Sequence, residues 1–216
     1  MALARGGGAE AAARRAPATH PGPEAFMTTA TRVILIHGNG GCTAADGWLP
    51  FVERDLTALG FDVVNQTFPD NVRARASIWL PHLDTLGADE HCVLIGHSSG
   101  AVAAMRYAET HRVLGSVLVG VCHTDLGDPG ERASGYYRDP WRWDAIRGNQ
   151  QWIGIFQSSD DPLTPVAEAR YVAAQLKCRY FESPDRGHFI DRAPFPELVN
   201  FVRRQVAGPS SGRPRT

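Results

Sequence analysis

The stretch that decides the fold is His91-Cys92-Val93-Leu94-Ile95-Gly96-His97-Ser98-Ser99-Gly100-Ala101-Val102-Ala103-Ala104. Four apolar residues lead into a serine that has a glycine two positions to either side, and an alanine-rich segment follows. This pattern predicts a buried strand, a sharp turn and a helix. The glycines would let the two backbones approach closely while Ser98 holds a strained conformation with its hydroxyl exposed. The alternative is an ordinary structural turn, because Gly-x-Ser-x-Gly alone is a weak signal.

Strand-like and helix-like segments alternate on both sides of this motif. Upstream, residues 32–37 and 61–67 are typical of strands, and residues 48–59 and the segment after Pro69 have helical periodicity. Downstream, we predict strands at 115–121, 152–156 and 179–182, and helices at 165–177 and 196–206. The alternation predicts an α/β fold, with a parallel sheet of about six strands covered by helices on both faces.

One segment, residues 122–147, interrupts the alternation. It has no clean period and is far longer than the usual connection of about 2–6 residues after a strand. Long insertions at the carboxyl end of a sheet strand often carry function. We therefore predict a small, aromatic-rich cap over the site. The alternative is that its aromatic side chains bury a loop against the core.

Composition restricts the class of protein. The chain has 216 residues, with 22 basic and 23 acidic side chains and a net charge of -1. This charge balance gives no reason to expect nucleic acid or a membrane as a partner, and the apolar runs are too short to span a bilayer. The four cysteines form no Cys-x-x-Cys pair, so we expect reduced thiols, a cytoplasmic location and no metal site.

Both ends of the sequence differ in composition from the middle. Residues 1–30 are rich in Ala, Gly, Pro and Arg, and we expect a disordered leader upstream of a start at Met27. A secretory signal is disfavoured because no apolar core follows the basic residues, and Glu10 and Glu24 argue against a transit peptide. We predict one domain over residues 31–207 and a flexible tail at 208–216.

If Ser98 is a nucleophile, it needs a base to accept its proton. In the fold that uses this kind of turn, the order along the chain is serine, acid, histidine. The candidate bases are His111, His123 and His188. His111 falls at the end of the helix and His123 directly after the fourth strand, whereas His188 follows a glycine in the loop after the last strand. We therefore predict that His188 is the base.

The acid should follow the fifth strand, where Asp160 and Asp161 compete for the role. Asp161 begins an Asp-Pro-x-x-Pro sequence whose prolines stiffen the loop and start the next helix, so it is the favoured acid. Asp160 would then be a turn or capping residue. Asp185 is a weaker candidate, because it shares a loop with His188 and would not brace the imidazole from the opposite side.

An oxyanion would need two backbone donors. We assign one to the Ser99 amide at the start of the helix, where the helix dipole adds positive potential, and the other to Asn39 in the glycine-rich loop after the first strand. The neighbouring glycines of that loop are alternatives to Asn39. A phosphate-binding loop is disfavoured because the spacing Gly-x-Gly-x-x-Gly and the lysine of a P-loop are both lacking.

These residues resemble the small serine hydrolases of the retinoblastoma-binding protein 9 family, in the α/β-hydrolase superfamily. The resemblance covers about residues 31–206. It rests on Gly38-Asn-Gly-Gly41, Gly47-Trp48, Pro69-Asp70, Ser77-Ile-Trp-Leu-Pro81, Ile95-Gly-His-Ser-Ser-Gly100, Ala104-Met-Arg-Tyr-Ala-Glu-Thr-His-Arg-Val113, Asp125-Leu-Gly-Asp128, Glu131-Arg-Ala-Ser-Gly-Tyr136, Pro140-Trp141, Asp160-Asp-Pro162 and Gly187-His-Phe189.

The resemblance implies the α/β-hydrolase fold, a Ser98, Asp161 and His188 triad, no cofactor, and activity on small esters or amides, including peptidase activity toward aromatic substrates. The vertebrate member is named for a Leu-x-Cys-x-Glu segment. Here the matching residues are Leu86-Gly87-Ala88-Asp89-Glu90, so binding to the retinoblastoma protein is not expected, because Ala88 replaces the cysteine.

Two hypotheses follow from the sequence. The favoured one is a serine hydrolase that cleaves a small ester or amide through an acyl-enzyme intermediate. The alternative is a binding or regulatory protein with a vestigial triad, whose aromatic cap would be an interaction surface. For the hydrolase, the candidate substrate-pocket residues are the large aromatic side chains Trp48, Trp79, Tyr137, Trp141 and Trp143, each of which could instead belong to the core.

Overall fold

The computed structural model describes residues 30–208, so the predicted leader and tail lie almost entirely outside the described residues. Within this range the chain forms the strands β1 (Arg32–Ile36), β2 (Asp62–Asn65), β3 (Val93–His97), β4 (Gly115–Val119), β5 (Trp152–Ser158) and β6 (Arg179–Ser183). They make one sheet in the order β2-β1-β3-β4-β5-β6, and every pair is parallel. The predicted parallel six-stranded sheet is confirmed.

Seven helices connect these strands in the described part of the chain. They are α1 (Leu49–Ala58), α2 (Ala76–Thr85), α3 (Ser99–Ala108), α4 (Pro129–Ser134), α5 (Trp143–Gly148), α6 (Val166–Leu176) and α7 (Pro196–Val206). Helices α1 and α7 pack on one face of the sheet, and α2, α3, α5 and α6 pack on the other. The predicted helical layers are therefore present on both faces.

Alternation of side chains along β1 supplies both halves of the core. Val33 and Leu35 point into the cluster that contains α1 and α7, whereas Ile34 and Ile36 point into the cluster that contains α3. All four are at most 1% exposed. Each such side chain stabilises the fold by about 1.5–3 kcal/mol relative to an exposed one, which explains why this strand is an unbroken apolar run.

The predicted cap segment, residues 122–147, forms the short helix α4 and most of the short helix α5. Asp128 caps α4 by accepting a hydrogen bond from the Glu131 amide at 2.8 Å, and Pro129 is the first helical residue. The sequence Asp-Pro-Gly-Glu was therefore a readable start signal. Both helices have only six residues, too few to show a helical period.

The sheet reverses its direction of growth between β1 and β3, because β2 lies beside β1 and β4 lies beyond β3. In open parallel sheets, ligands bind in the crevice at the carboxyl ends of the two strands that flank such a point. The loop after β1 and the turn after β3 both open into this crevice. None of the helices in residues 30–208 is long and apolar enough to cross a bilayer.

Candidate active site

The turn between β3 and α3 has the strained geometry that its sequence predicts. Ser98 lies at φ 54° and ψ -119°, outside the regions that residues with a side chain prefer. A Cβ atom on Gly96 would collide with the backbone of Gly100, and one on Gly100 would collide with the carbonyl of Ile36. The flanking glycines thus permit the close approach of the β3, α3 and β1 backbones, with Ser98 at the tip of the turn.

Asp161 and His188 come together although they are 27 positions apart in the sequence. His188 Nδ1 lies 2.8 Å from Asp161 Oδ2 and 3.0 Å from Oδ1. The carboxylate also accepts hydrogen bonds from the amides of Leu163 and Thr164, both at 2.9 Å, and from Gln157 Nε2 at 3.1 Å. Burial raises the pKa of Asp161, but the hydrogen bonds from His188, Thr164 and Leu163 outweigh it, so its net pKa is lowered.

The competing acids and bases occupy other places. Asp160 Oδ1 accepts hydrogen bonds from Ser158 Oγ at 2.5 Å and from the Gly187 amide at 2.8 Å, so it ties the β5 loop to the β6 loop. Asp185 is exposed to solvent. His111 is half-exposed and stacks on Tyr107, with ring centroids 4.1 Å apart. The ring of His123 stacks on Tyr171 and lies beside Glu168.

The loop after β1 is fixed by His37. This buried imidazole accepts a hydrogen bond from the Phe68 amide at Nε2 (2.8 Å), so Nδ1 carries the proton and donates to the Gly38 carbonyl at 2.7 Å. Burial lowers the pKa of His37, which favours this neutral form. Among the described residues, the amides of Asn39 and Ser99 have no hydrogen-bond partner.

A cavity of about 450 Å³ contains the hydroxyl-bearing turn and the imidazole. Ser98, Ser99, Asn39 and His188 all line it, and Asp161 lies directly behind His188. The remaining lining residues include three partly exposed aliphatic side chains at the rim and two acidic residues from the inserted segment. These are Leu126, Leu163, Ile190, Asp128 and Glu131.

The predicted substrate-pocket aromatics require correction, because none of the five lines this cavity. Trp79 is fully buried beneath β1, and its indole donates to the Pro69 carbonyl. Trp48 packs against His97 and Phe195 and lines a smaller neighbouring cavity. Trp141 and Trp143 stack on each other in a different groove, and Tyr137 reaches only Cys122 and Glu131 through its hydroxyl. Trp48 and Trp79 are buried, whereas Tyr137, Trp141 and Trp143 are partly exposed.

Sequence reasoning missed two residues that hold the site. His97 donates from Nε2 to the His188 carbonyl at 2.7 Å, which links the β3 end to the histidine loop. Burial, together with the neighbouring His188, lowers the pKa of His97 to about 4. Arg106 on α3 donates to the carbonyls of Tyr136 and Asp139 and so anchors the inserted segment. The position of His97 beside Ser98 was the only sequence signal for its role, and no sequence pattern indicated the role of Arg106.

Comparisons with known proteins identify the family. A family model described as "Serine hydrolase" matches residues 33–202. The serine hydrolase RBBP9 of Rattus norvegicus is 44% identical over 183 residues, which span 83% of this chain and 98% of that protein.

Two solved structures are similar in fold. The ydeN gene product of B. subtilis has a TM-score of 0.76 at 20% identity and covers 82% of this chain and 100% of its own. Est1E from Butyrivibrio proteoclasticus, solved with ferulic acid bound, has a TM-score of 0.69 at 17% identity and covers 83% of this chain and 91% of its own. At such identities the likeness bears on the fold alone, here the α/β-hydrolase fold. The match over most of the chain to the family model and to the rat enzyme shows that this chain belongs to the serine hydrolase family that includes RBBP9.

Proposed function

We propose that this hydrolase cleaves small esters or amides through an acyl-enzyme formed on Ser98. Ser98 Oγ attacks the carbonyl carbon while His188 Nε2 takes the hydroxyl proton, and Asp161 orients the imidazole through Nδ1. His188 then returns the proton to the leaving alcohol or amine. Water, deprotonated by the same imidazole, releases the acid and restores Ser98.

The observation that carries this proposal is the hydrogen bond between Asp161 and His188 in the cavity that Ser98 lines. Because Nδ1 is occupied, the ring is held in one tautomer with Nε2 available to Ser98. Nε2 has no hydrogen-bond partner among residues 30–208. The negative oxygen of the intermediate would accept hydrogen bonds from the Asn39 and Ser99 amides, with the dipole of α3 adding positive potential at Ser99.

The cavity's lining supports a class of substrate. Leu126, Leu163 and Ile190 offer apolar surface at the rim, and the described lining includes Asp128 and Glu131 but no lysine or arginine. We infer that the preferred acyl or alcohol group is small and apolar and carries no negative charge. A volume of about 450 Å³ suits such a group.

The partner and location predictions also stand as proposals. We expect no binding to the retinoblastoma protein, since Ala88 stands in the cysteine position and packs against the core. A cytosolic location fits the four thiols, all of which are unpaired.

Stopped-flow hydrolysis of p-nitrophenyl esters of increasing chain length, beside aminoacyl amides, tests this function. We expect a burst of p-nitrophenol equal to the enzyme concentration, followed by slower turnover, and a preference for uncharged short acyl chains over succinyl esters. The proposed function is wrong if Ser98→Ala retains the turnover of the unsubstituted enzyme.

A further inference from the structure

Glu131 reaches across the cavity from the inserted segment to the loop after β1. Its Oε1 atom accepts a hydrogen bond from Asn39 Nδ2 at 2.5 Å, although the two residues are 92 positions apart. Both side chains are partly buried and both line the cavity with Ser98. The proposed catalytic steps assign no role to this partly buried carboxylate.

The loop that contains Asn39 is otherwise held on either side of this residue. His37 fixes the Gly38 carbonyl, and Gly40 and Gly41 donate their amides to the carbonyls of Val72 and Asn71, each at 3.1 Å. In a trans peptide the carbonyl and the following amide point in opposite directions. Fixing the Gly38 carbonyl therefore directs the Asn39 amide away from the imidazole.

The Asn39 side chain supplies the remaining restraint. The Gly38 carbonyl holds the planar Gly38–Asn39 peptide at one end only, so rotation of the Asn39 end about that contact would still tilt the Asn39 amide. A geometric error of this kind is costly at an oxyanion site. A hydrogen bond from Nδ2 to a fixed carboxylate opposes that rotation.

Glu131 is itself fixed. Its backbone amide donates to Asp128 Oδ1 at the start of α4, and the Tyr137 hydroxyl donates to Oε2 at 3.4 Å. Burial raises the pKa of Glu131, and the hydrogen bonds from Asn39 and Tyr137 oppose that rise. In both protonation states a carboxyl oxygen remains to accept from Asn39.

We propose that Glu131 is a positioning residue, which holds the Asn39 amide in place as an oxyanion donor by binding the Asn39 side chain. This rests on the proposed function, because the Asn39 amide must act on an intermediate formed at Ser98. The inserted segment would thereby contribute to the rate of the chemical step, through a bond that touches no substrate atom.

The test is a set of variants in which the Asn39–Glu131 bond is removed, preserved or reversed. Glu131→Ala and Asn39→Ala should each lower kcat about 10-fold to 100-fold, less than the roughly 10²–10³-fold loss of a whole oxyanion donor. Their KM values should stay within about 2-fold, because the bond acts on the transition state. The double alanine variant should lose no more than either single variant.

Preserving and reversing the bond gives the sharper readout. Glu131→Gln keeps the accepting oxygen and should retain kcat within about 3-fold. Asn39→Asp sets two carboxyl groups against each other and should lower kcat at least as far as Asn39→Ala does. Adding Glu131→Gln to Asn39→Asp lets the introduced amide donate to the introduced carboxylate, and should recover most of the loss.

Arg132→Ala is the matched control, because it removes the next side chain of α4 and its pair with Asp125 without touching Asn39. Its kcat should equal that of the unsubstituted enzyme. If the alanine variants unfold, the Gln variant and the reversed pair still decide the matter.

Three results would overturn the proposal: an unchanged kcat in Glu131→Ala, an equal loss in Glu131→Gln, or a loss confined to KM. The last would make Glu131 a direct contact for a cationic substrate. Failure of the proposed function is recognised separately, since Ser98→Ala would then remain active in the same assay.

Discussion

The strand-end loops and the inserted segment, residues 122–147, meet at the same cavity but are built differently. Ser98 directly follows β3, and Asp161 and His188 lie in the loops after β5 and β6. Their hydrogen-bond partners belong to the strands or to the same loop, as with His97 on β3 and the amides of Leu163 and Thr164. The inserted segment is held by side chains from two helices instead. Arg106 holds its carbonyls, and Glu168 accepts from the amides of His123 and Thr124.

The contrast extends within the inserted segment. Its first part, through Glu131, lines the cavity, whereas Trp141 and Trp143 pack away from it against α3 and α6. The proposed reacting groups thus depend on the sheet, whereas the aromatic end of the insert anchors its cavity-lining end. Substitutions in the strand-end loops should change the rate. Those at the aromatic end of the insert should change stability, and those at its cavity-lining end should change substrate binding.

The largest effect should come from the strand-end loops. His188→Ala and Asp161→Asn should each lower kcat by about 10⁴-fold, because the first removes the base and the second removes the group that fixes its tautomer. Steady-state hydrolysis of a p-nitrophenyl ester measures both. The double variant should be little slower than His188→Ala alone, since the groups act as a unit, and multiplied losses would contradict this account.

The aromatic end of the insert should affect stability and leave catalysis alone. The Arg106 guanidinium lies 3.6 Å from the centre of the Trp141 ring, so Trp141→Ala should cost about 2 kcal/mol and lower Tm by about 4–8 °C. Trp141→Phe is the matched control, because it keeps an aromatic face beneath the guanidinium. We expect kcat/KM within about 2-fold in both variants at 25 °C, and a 10-fold loss would show that this end reaches the substrate.

The cavity-lining end should affect substrate binding. Leu126 lies at φ 53°, a conformation that asparagine tolerates, so Leu126→Asn removes apolar surface without backbone strain. KM for apolar esters should rise about 10-fold, with kcat unchanged. Leu59→Asn, at an exposed leucine after α1, is the control and should leave KM unaltered. Equal effects of the two substitutions would remove Leu126 from the substrate site.

The smallest effect should be the pH dependence of stability conferred by Asp161. Its pKa is lower in the folded protein, so its stabilising contribution is complete above the usual value of about 4 and is lost as the pH falls through the folded value. Urea unfolding should show the native protein about 1 kcal/mol more stable than Asp161→Asn at pH 7. The difference should shrink below about pH 4, and a constant difference would contradict the lowered pKa.

An unbroken apolar run such as residues 93–97 must be buried on both sides, and a parallel sheet covered by helices provides that burial. Sequence patterns therefore predicted the sheet. They also predicted which side chains meet in the cavity, since Ser98, Asp161 and His188 each follow a strand and the carboxyl ends of parallel strands share one edge. The prediction of the pocket aromatics was wrong, because a large apolar residue has the same sequence signal whether it lies in the core or lines a pocket. Only tertiary packing distinguishes Trp79 from a pocket residue.

Sequence patterns could not predict the Asn39–Glu131 hydrogen bond, for a related reason. It joins a loop after β1 to a six-residue helix in the insert, and no local period or motif relates the two. Long-range polar pairs of this kind become visible when the fold brings their elements together.

The most direct test of the central claim is peptide mapping of the enzyme after reaction with a fluorophosphonate. The account predicts a single adduct, on Ser98, with labelling abolished in Ser98→Ala and strongly slowed in His188→Ala while both variants remain folded. Full labelling of Ser98→Ala, or an adduct on another serine, would contradict the assignment of Ser98 as the nucleophile.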